Sequence, residues 1–142
     1  MGVLEIPSKI HEQMIAQAER EAPLECCGML GGRGSRVSAC YPVANALASP
    51  AAYEGDAKET LRAFREMRER GLELIAIYHS HPSSPAVPSR VDLERNYYGE
   101  VPRLIISLVA RPPEMRAYVL SELEYREVPW KIGGVEGSGA AG

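Results

Sequence analysis

Residues 72–92 read Leu72-Glu73-Leu74-Ile75-Ala76-Ile77-Tyr78-His79-Ser80-His81-Pro82-Ser83-Ser84-Pro85-Ala86-Val87-Pro88-Ser89-Arg90-Val91-Asp92. Up to Tyr78 the run is apolar except for Glu73, and it predicts a buried strand that leads straight into His79. Side chains alternate along a strand, so His79 and His81 leave the same face. Pro82, Pro85 and Pro88 then bar any regular element and force a loop. Ser89, with an acid three positions on, opens a short helix expected to reach about Tyr98.

Elements of both kinds lie on either side of this segment. Val3 to Ile6 reads as a short strand closed by Pro7, and Ser8 can cap a helix carrying Ile10, Met14 and Ala18 that ends near Pro23. Glu25 to Leu30 reads as a strand, Gly31 to Arg36 as a turn, and Val37 to Val43 as the returning strand of a hairpin. A loop with a short extended piece spans Ala44 to Gly55. Asp56-Ala57-Lys58-Glu59 has the form of a capping box and opens a helix with Leu61, Phe64 and Met67 on one face, stopped by Gly71. Downstream, strands are expected at Arg103–Ala110, Met115–Leu120 and Glu124–Val128. The fold class that follows is α/β (α+β), a central mixed sheet flanked by helices, in one domain over residues 1–130. Residues 131–142, rich in Gly, Ser and Ala, read as a flexible tail.

The 142 residues suit one domain, and 45% hydrophobic with 25% charged residues is an ordinary globular composition. A net charge of -3 gives no electrostatic basis for binding nucleic acid or an anionic membrane. Apolar stretches such as Leu104 to Ala110 fall far short of the ~20 residues that span a bilayer. The first residues show no basic region followed by an apolar run, and the odd set Cys26, Cys27 and Cys40 does not make a disulfide framework. A cytoplasmic setting is expected.

Two imidazoles at positions i and i+2 of a strand end can converge on one ion, and the proline loop can bring Asp92 back toward them. His79, His81 and Asp92 would then form a His₂Asp set with an open fourth position, which is typical of catalytic rather than structural zinc. Ser89-x-x-Asp92 also fits a plain capping box, with the acid favouring its own helix N-terminus. On spacing alone both readings of Asp92 stay open.

The string His-x-His-Pro, six residues, Ser-x-x-Asp resembles the signature of the JAMM (MPN+) metalloprotease family, which includes zinc-dependent deubiquitinases. Glu25, in Pro23-Leu24-Glu25-Cys26-Cys27-Gly28-Met29-Leu30-Gly31, is similar to that family's upstream Glu segment. The likeness covers roughly residues 8 to 110 and implies a single JAMM/MPN-like domain. It implies that one Zn²⁺ is bound by His79, His81 and Asp92, and that Glu25 is the general base. Ser89 would donate a hydrogen bond to the oxyanion of the tetrahedral intermediate.

The family's ubiquitin-gripping insertions would fall between Val43 and Asp56 and between Asp92 and Arg103. Both segments are short here, so the chain looks like the compact prokaryotic type. The resemblance therefore implies a peptidase or isopeptidase cutting after the C-terminal Gly-Gly tail of a ubiquitin-like or sulfur-carrier protein. Two alternatives differ in class: a non-catalytic MPN-type scaffold, which would lack the ligands, and a RadC-like DNA-repair-associated protein, for whose added DNA-binding module this acidic chain has no room.

Other residues have plainer readings. Successive strand residues face opposite sides, so at most one of Cys26 and Cys27 can share the face of Glu25, and a buried thiol is the commoner role of a free cysteine. Cys40 reads as structural, His11 as a solvated helix residue, and at least one of Tyr97 and Tyr98 as a packing residue.

Overall fold

The 72–81 run does what its pattern requires: from Ile75 onward it forms a strand buried on both faces. The computed structural model describes residues 2–133. In chain order the elements are β1 (Leu4–Pro7), α1 (Ser8–Glu21), β2 (Cys27–Arg33), β3 (Arg36–Val43), α2 (Ala57–Glu69), β4 (Glu73–His81), α3 (Arg90–Glu94), β5 (Arg103–Ser107), β6 (Glu114–Ser121), β7 (Glu124–Val128) and β8 (Trp130–Gly133). They form one mixed sheet in the order β7-β6-β5-β4-β2-β3-β1-β8. β4 lies near its middle, antiparallel to β2 and parallel to β5.

Strand alternation divides the sheet between the two long helices. Cys26, Leu30, Ala76, Tyr78, Leu104 and Ile106 pack in one cluster with Ile10, Met14 and Ala18 of α1. Met29 faces the other way and packs with Ala63 and Met67 of α2. By the same parity His79 and His81 belong to the α2 side, as does Arg103, whose strand position is paired with Ile77.

Several local expectations are revised. The hairpin turn is narrower than Gly31 to Arg36: Gly31 and Gly32 are paired within β2 across a register shift, and only Gly34 and Ser35 turn. A Cβ on Gly32 would stand 2.0 Å from the Arg36 carbonyl oxygen, so only glycine lets the two strands close there. Ser8 is the first residue of α1 and makes no side-chain cap. Asp56 caps α2 by accepting from Glu59 N at 3.0 Å, but the Glu59 carboxylate accepts from Ala44 N at 2.7 Å and so does not complete a box. Leu61, expected on the buried face, is 59% exposed. The helix expected to reach Tyr98 stops at Glu94, and Asn96 beyond it accepts from Arg103 and donates to Leu120 O at 3.5 Å.

The tail boundary also shifts. Lys131, Ile132 and Gly133 belong to β8, which pairs in parallel with β1 from Leu4↔Trp130 to Pro7↔Gly133. The rest of the expected tail lies outside the described residues. Trp130 anchors this strand: its indole donates to Met115 O at 3.1 Å and its ring lies 5.5 Å from that of His11. His11 is therefore half-buried against an aromatic ring, not freely solvated.

Candidate metal centre

His79 and His81 end β4 on one face, each only 2% exposed. The proline loop contributes directly to their chemistry. His81 Nδ1 lies 2.8 Å from Pro85 O, a contact that requires Nδ1 to be the donor. In a neutral ring this leaves the lone pair on Nε2, which points at His79 Nε2 (3.1 Å) and Asp92 Oδ2 (3.0 Å).

Asp92 caps its own helix and also turns its carboxylate toward both imidazoles. Asp92 N donates to Ser89 Oγ at 3.0 Å and Ser89 N donates to Asp92 Oδ2 at 2.9 Å, a complete capping box. The same carboxylate places Oδ1 3.1 Å from His79 Nε2 and Oδ2 3.0 Å from His81 Nε2. The cap fixes the helix start, and the fixed helix start aims the acid.

These contacts test whether the residues fit a metal. His79, His81 and Asp92 are the group able to hold an ion among the described residues. The two Nε2 atoms stand 3.1 Å apart, close to the ~3.3 Å between neighbouring donors of a tetrahedral ion with bonds of ~2.0–2.1 Å, and each has one Asp92 oxygen at 3.0–3.1 Å. Electron pairs from two imidazoles and a carboxylate converge in a buried site, an arrangement that calls for a cation or protons between them. The set fits zinc.

The ionisation of the site follows the same geometry. Burial opposes ionisation of Asp92, but the hydrogen bonds and charges of His79 and His81 and the Ser89 amide hold it well below the usual carboxylate range. Burial dominates at His79 and lowers its pKa. At His81 burial is outweighed by Asp92 and the Pro85 carbonyl, and the pKa rises.

Glu25 lies two residues before β2, at the position that would oppose His81 if the Cys27↔His79 register continued. Its backbone is pinned from both sides: its N–H donates to Ser49 O at 2.9 Å, and its carbonyl accepts from Asn45 Nδ2 at 3.0 Å. The next residue is tied to β4 by Cys26 N to Ser80 Oγ (2.8 Å) and Ser80 N to Cys26 O (3.1 Å). The Glu25 side chain is 4% exposed, and its Oε1 has no hydrogen-bond partner among the described residues. Burial, with the Asp92 charge adding and that of His81 opposing, pushes its pKa up to about 8. Glu25 thus offers a buried carboxyl with an unpaired oxygen, near enough to His81 and Asp92 to feel their charges.

The cysteines divide as strand alternation requires. Cys26 joins the core on the α1 side. Cys27 faces the site, but its thiol donates to Val43 O at 3.4 Å and burial pushes its pKa up to about 12, so it stays protonated and a poor nucleophile. Cys40 packs beside the Tyr78 hydroxyl at 3.5 Å.

A cleft of about 490 Å³ opens from His79 and Asp92 between α2 and the 88–103 segment, walled by Leu61, Phe64, Tyr97 and Tyr98. Tyr98 packs on Phe64, with ring centroids 6.4 Å apart, while Tyr97 is 71% exposed along the wall. Two site residues escaped the sequence reading. Tyr53, in the 44–55 loop, stacks on His79, and Arg103 is a buried cation lining the same cleft. Neither sits in a recognisable motif. The one signal available was a charged residue opening an apolar strand.

A profile of the family described as "Prokaryotic homologs of the JAB domain" matches residues 7–121. The "Probable TtuB-protein conjugate cleaving protease" of Thermus thermophilus is 37% identical over 121 residues, 84% of this chain and 78% of that protein. The "CysO-cysteine peptidase" of Mycobacterium tuberculosis is 34% identical over 135 residues, 92% of this chain and 91% of that one. The solution structure of a protein from Desulfitobacterium hafniense superposes with a TM-score of 0.83 at 32% identity, covering 91% of this chain and 92% of the other.

Proposed function

Given that the chain belongs to the family of prokaryotic homologs of the JAB domain, the compact type of JAMM/MPN+ hydrolase, we propose that it is a zinc peptidase or isopeptidase. Its substrate would be the C-terminal Gly-Gly tail of a ubiquitin-like or sulfur-carrier protein, cut just after the second glycine. The observation that carries this reading is the convergence of His79, His81 and Asp92 beside a buried carboxyl, Glu25, with an oxygen to spare. A non-catalytic scaffold would have no use for that set.

In this reading His79, His81 and Asp92 hold Zn²⁺, which when bound polarises the scissile carbonyl and makes water a nucleophile near neutral pH. Glu25 takes the proton from the attacking water at its free Oε1 and returns it to the leaving amine. Ser89 accepts the Asp92 amide with a lone pair, which leaves its O–H free to donate to the oxyanion. A tail of two glycines, having no side chains, can lie close against the cleft floor. The apolar wall receives the residues before it. The absence of grip loops fits small carriers, and the released group can be an amino acid such as cysteine or the lysine of a conjugate.

The test is cleavage by purified, zinc-loaded protein of a sulfur-carrier protein fused through Gly-Gly to cysteine or a short peptide, read by mass spectrometry. The expected cut falls after Gly-Gly, and Glu25→Gln should keep its zinc and lose ~10²–10⁴-fold in turnover. A fully active Glu25→Gln enzyme, or no carrier cut at full zinc occupancy, would refute the proposal.

A further inference from the structure

We propose that Tyr53 is a positioning residue for His79, and that Asn45 fixes Tyr53 and Glu25 together as one unit; the inference rests on the metal reading above. The starting point is an asymmetry between the two histidines. His81 has its ring set by the hydrogen bond to Pro85 O at 2.8 Å. His79 has no such anchor: its Nδ1 is buried without a hydrogen-bond partner among the described residues. Metal-binding histidines normally use that second nitrogen to fix ring orientation, because rotation about the last side-chain bond is otherwise broad.

At His79 an aromatic ring packs over the imidazole face instead. The Tyr53 ring stacks on the imidazole, with centroids 4.5 Å apart and planes inclined by 23°. Contact along the whole ring face resists the rotation that would swing Nε2 away from Asp92. The Arg103 guanidinium lies close enough to Tyr53 to interact with it, and Arg103 is itself held by Val101 O and Asn96 Oδ1.

Tyr53 sits in a loop, and one side chain clamps that loop on both sides of it. Asn45 Nδ2 donates to Ala52 O at 3.0 Å, and Asn45 Oδ1 accepts from Glu54 N at 3.1 Å, so the backbone is clamped immediately before and after Tyr53. The same Nδ2 donates to Glu25 O at 3.0 Å. One amide group thus sets the spacing between the segment carrying the base and the ring that steadies a ligand.

The test reads metal directly, without substrate. Zinc affinity is measured by competition with a chromophoric chelator, and ligand geometry by the visible absorption of the cobalt-substituted protein, for wild type, Tyr53→Phe and Tyr53→Leu. Thermal melts of the metal-free proteins report the fold. The expected result is ~10–100-fold weaker zinc binding and an altered cobalt spectrum for Tyr53→Leu, the loss typical of a ligand's supporting partner. Tyr53→Phe, which keeps the stack, should stay near wild type, and all three metal-free melts should agree. Unchanged zinc affinity and cobalt spectrum in Tyr53→Leu would overturn the inference. So would a Phe variant as impaired as Leu, or a loss matched by a lower metal-free melt. Failure of wild type to bind zinc would instead sink the metal reading, and this inference with it.

Discussion

Replacing Glu25 by Gln should make the metal-free protein more stable, and the gain should grow with pH. In the folded chain burial raises the Glu25 pKa from 4.5 to about 8. The native state therefore keeps its proton to higher pH than the unfolded chain does. Stability from this group is fully present below 4.5 and declines as pH rises toward about 8, beyond which the penalty is complete. At 1.36 kcal/mol per pH unit the full penalty is about 5 kcal/mol, against less than about 1 kcal/mol at pH 5. Gln keeps the shape, removes the charge and leaves the site's packing alone. The stability gap between Glu25→Gln and wild type should thus widen by about 4 kcal/mol between pH 5 and pH 9. With a urea m-value of about 2 kcal/mol/M, that is a divergence of about 2 M in unfolding midpoint. The change in the gap carries the test, since packing differences cancel in it. Zinc should narrow the gap at pH 7, because a nearby cation favours the charged carboxylate. A gap that stays constant across this pH range would refute the burial argument and remove the physical basis for Glu25 as base.

Gly28→Ala should destabilise the fold by roughly 2 kcal/mol or more, read by urea unfolding, because the new Cβ would stand 2.3 Å from the Tyr78 ring. That ring is locked from behind by its hydroxyl, which donates to Gln17 Oε1 at 2.5 Å, and Gln17 Nε2 in turn holds Cys27 O at 3.0 Å. Ser89→Ala removes both a helix cap and a hydroxyl donor. It should cost about 1 kcal/mol of stability and slow turnover by ~10²-fold while KM moves little, with zinc content retained.

The sequence alone determined which residues could hold a metal and on which face two of them lie. A period of two carries His79 and His81 to one side of β4 whatever the rest of the chain does, and three prolines with a serine cap allow a return that can bring Asp92 within reach. The division of Cys26 from Cys27 followed from the same alternation. What the sequence left open was every choice that depends on a distant neighbour. Asp92 could be read as cap or ligand, and only the packed helix start shows one carboxylate capping the helix while facing both imidazoles. Gly31 and Gly32 read as a turn because the missing Cβ permits one, yet the partner strand uses that space to pair. Trp130 to Gly133 carry too little pattern to announce a strand, and β1 supplies it. Tyr53 and Asn45 sit in a loop with no period at all, and their surroundings are set by distant partners, Tyr53 by His79 and Arg103 and Asn45 by Glu25. Periodicity records which way a side chain points, but what it meets there is fixed by packing.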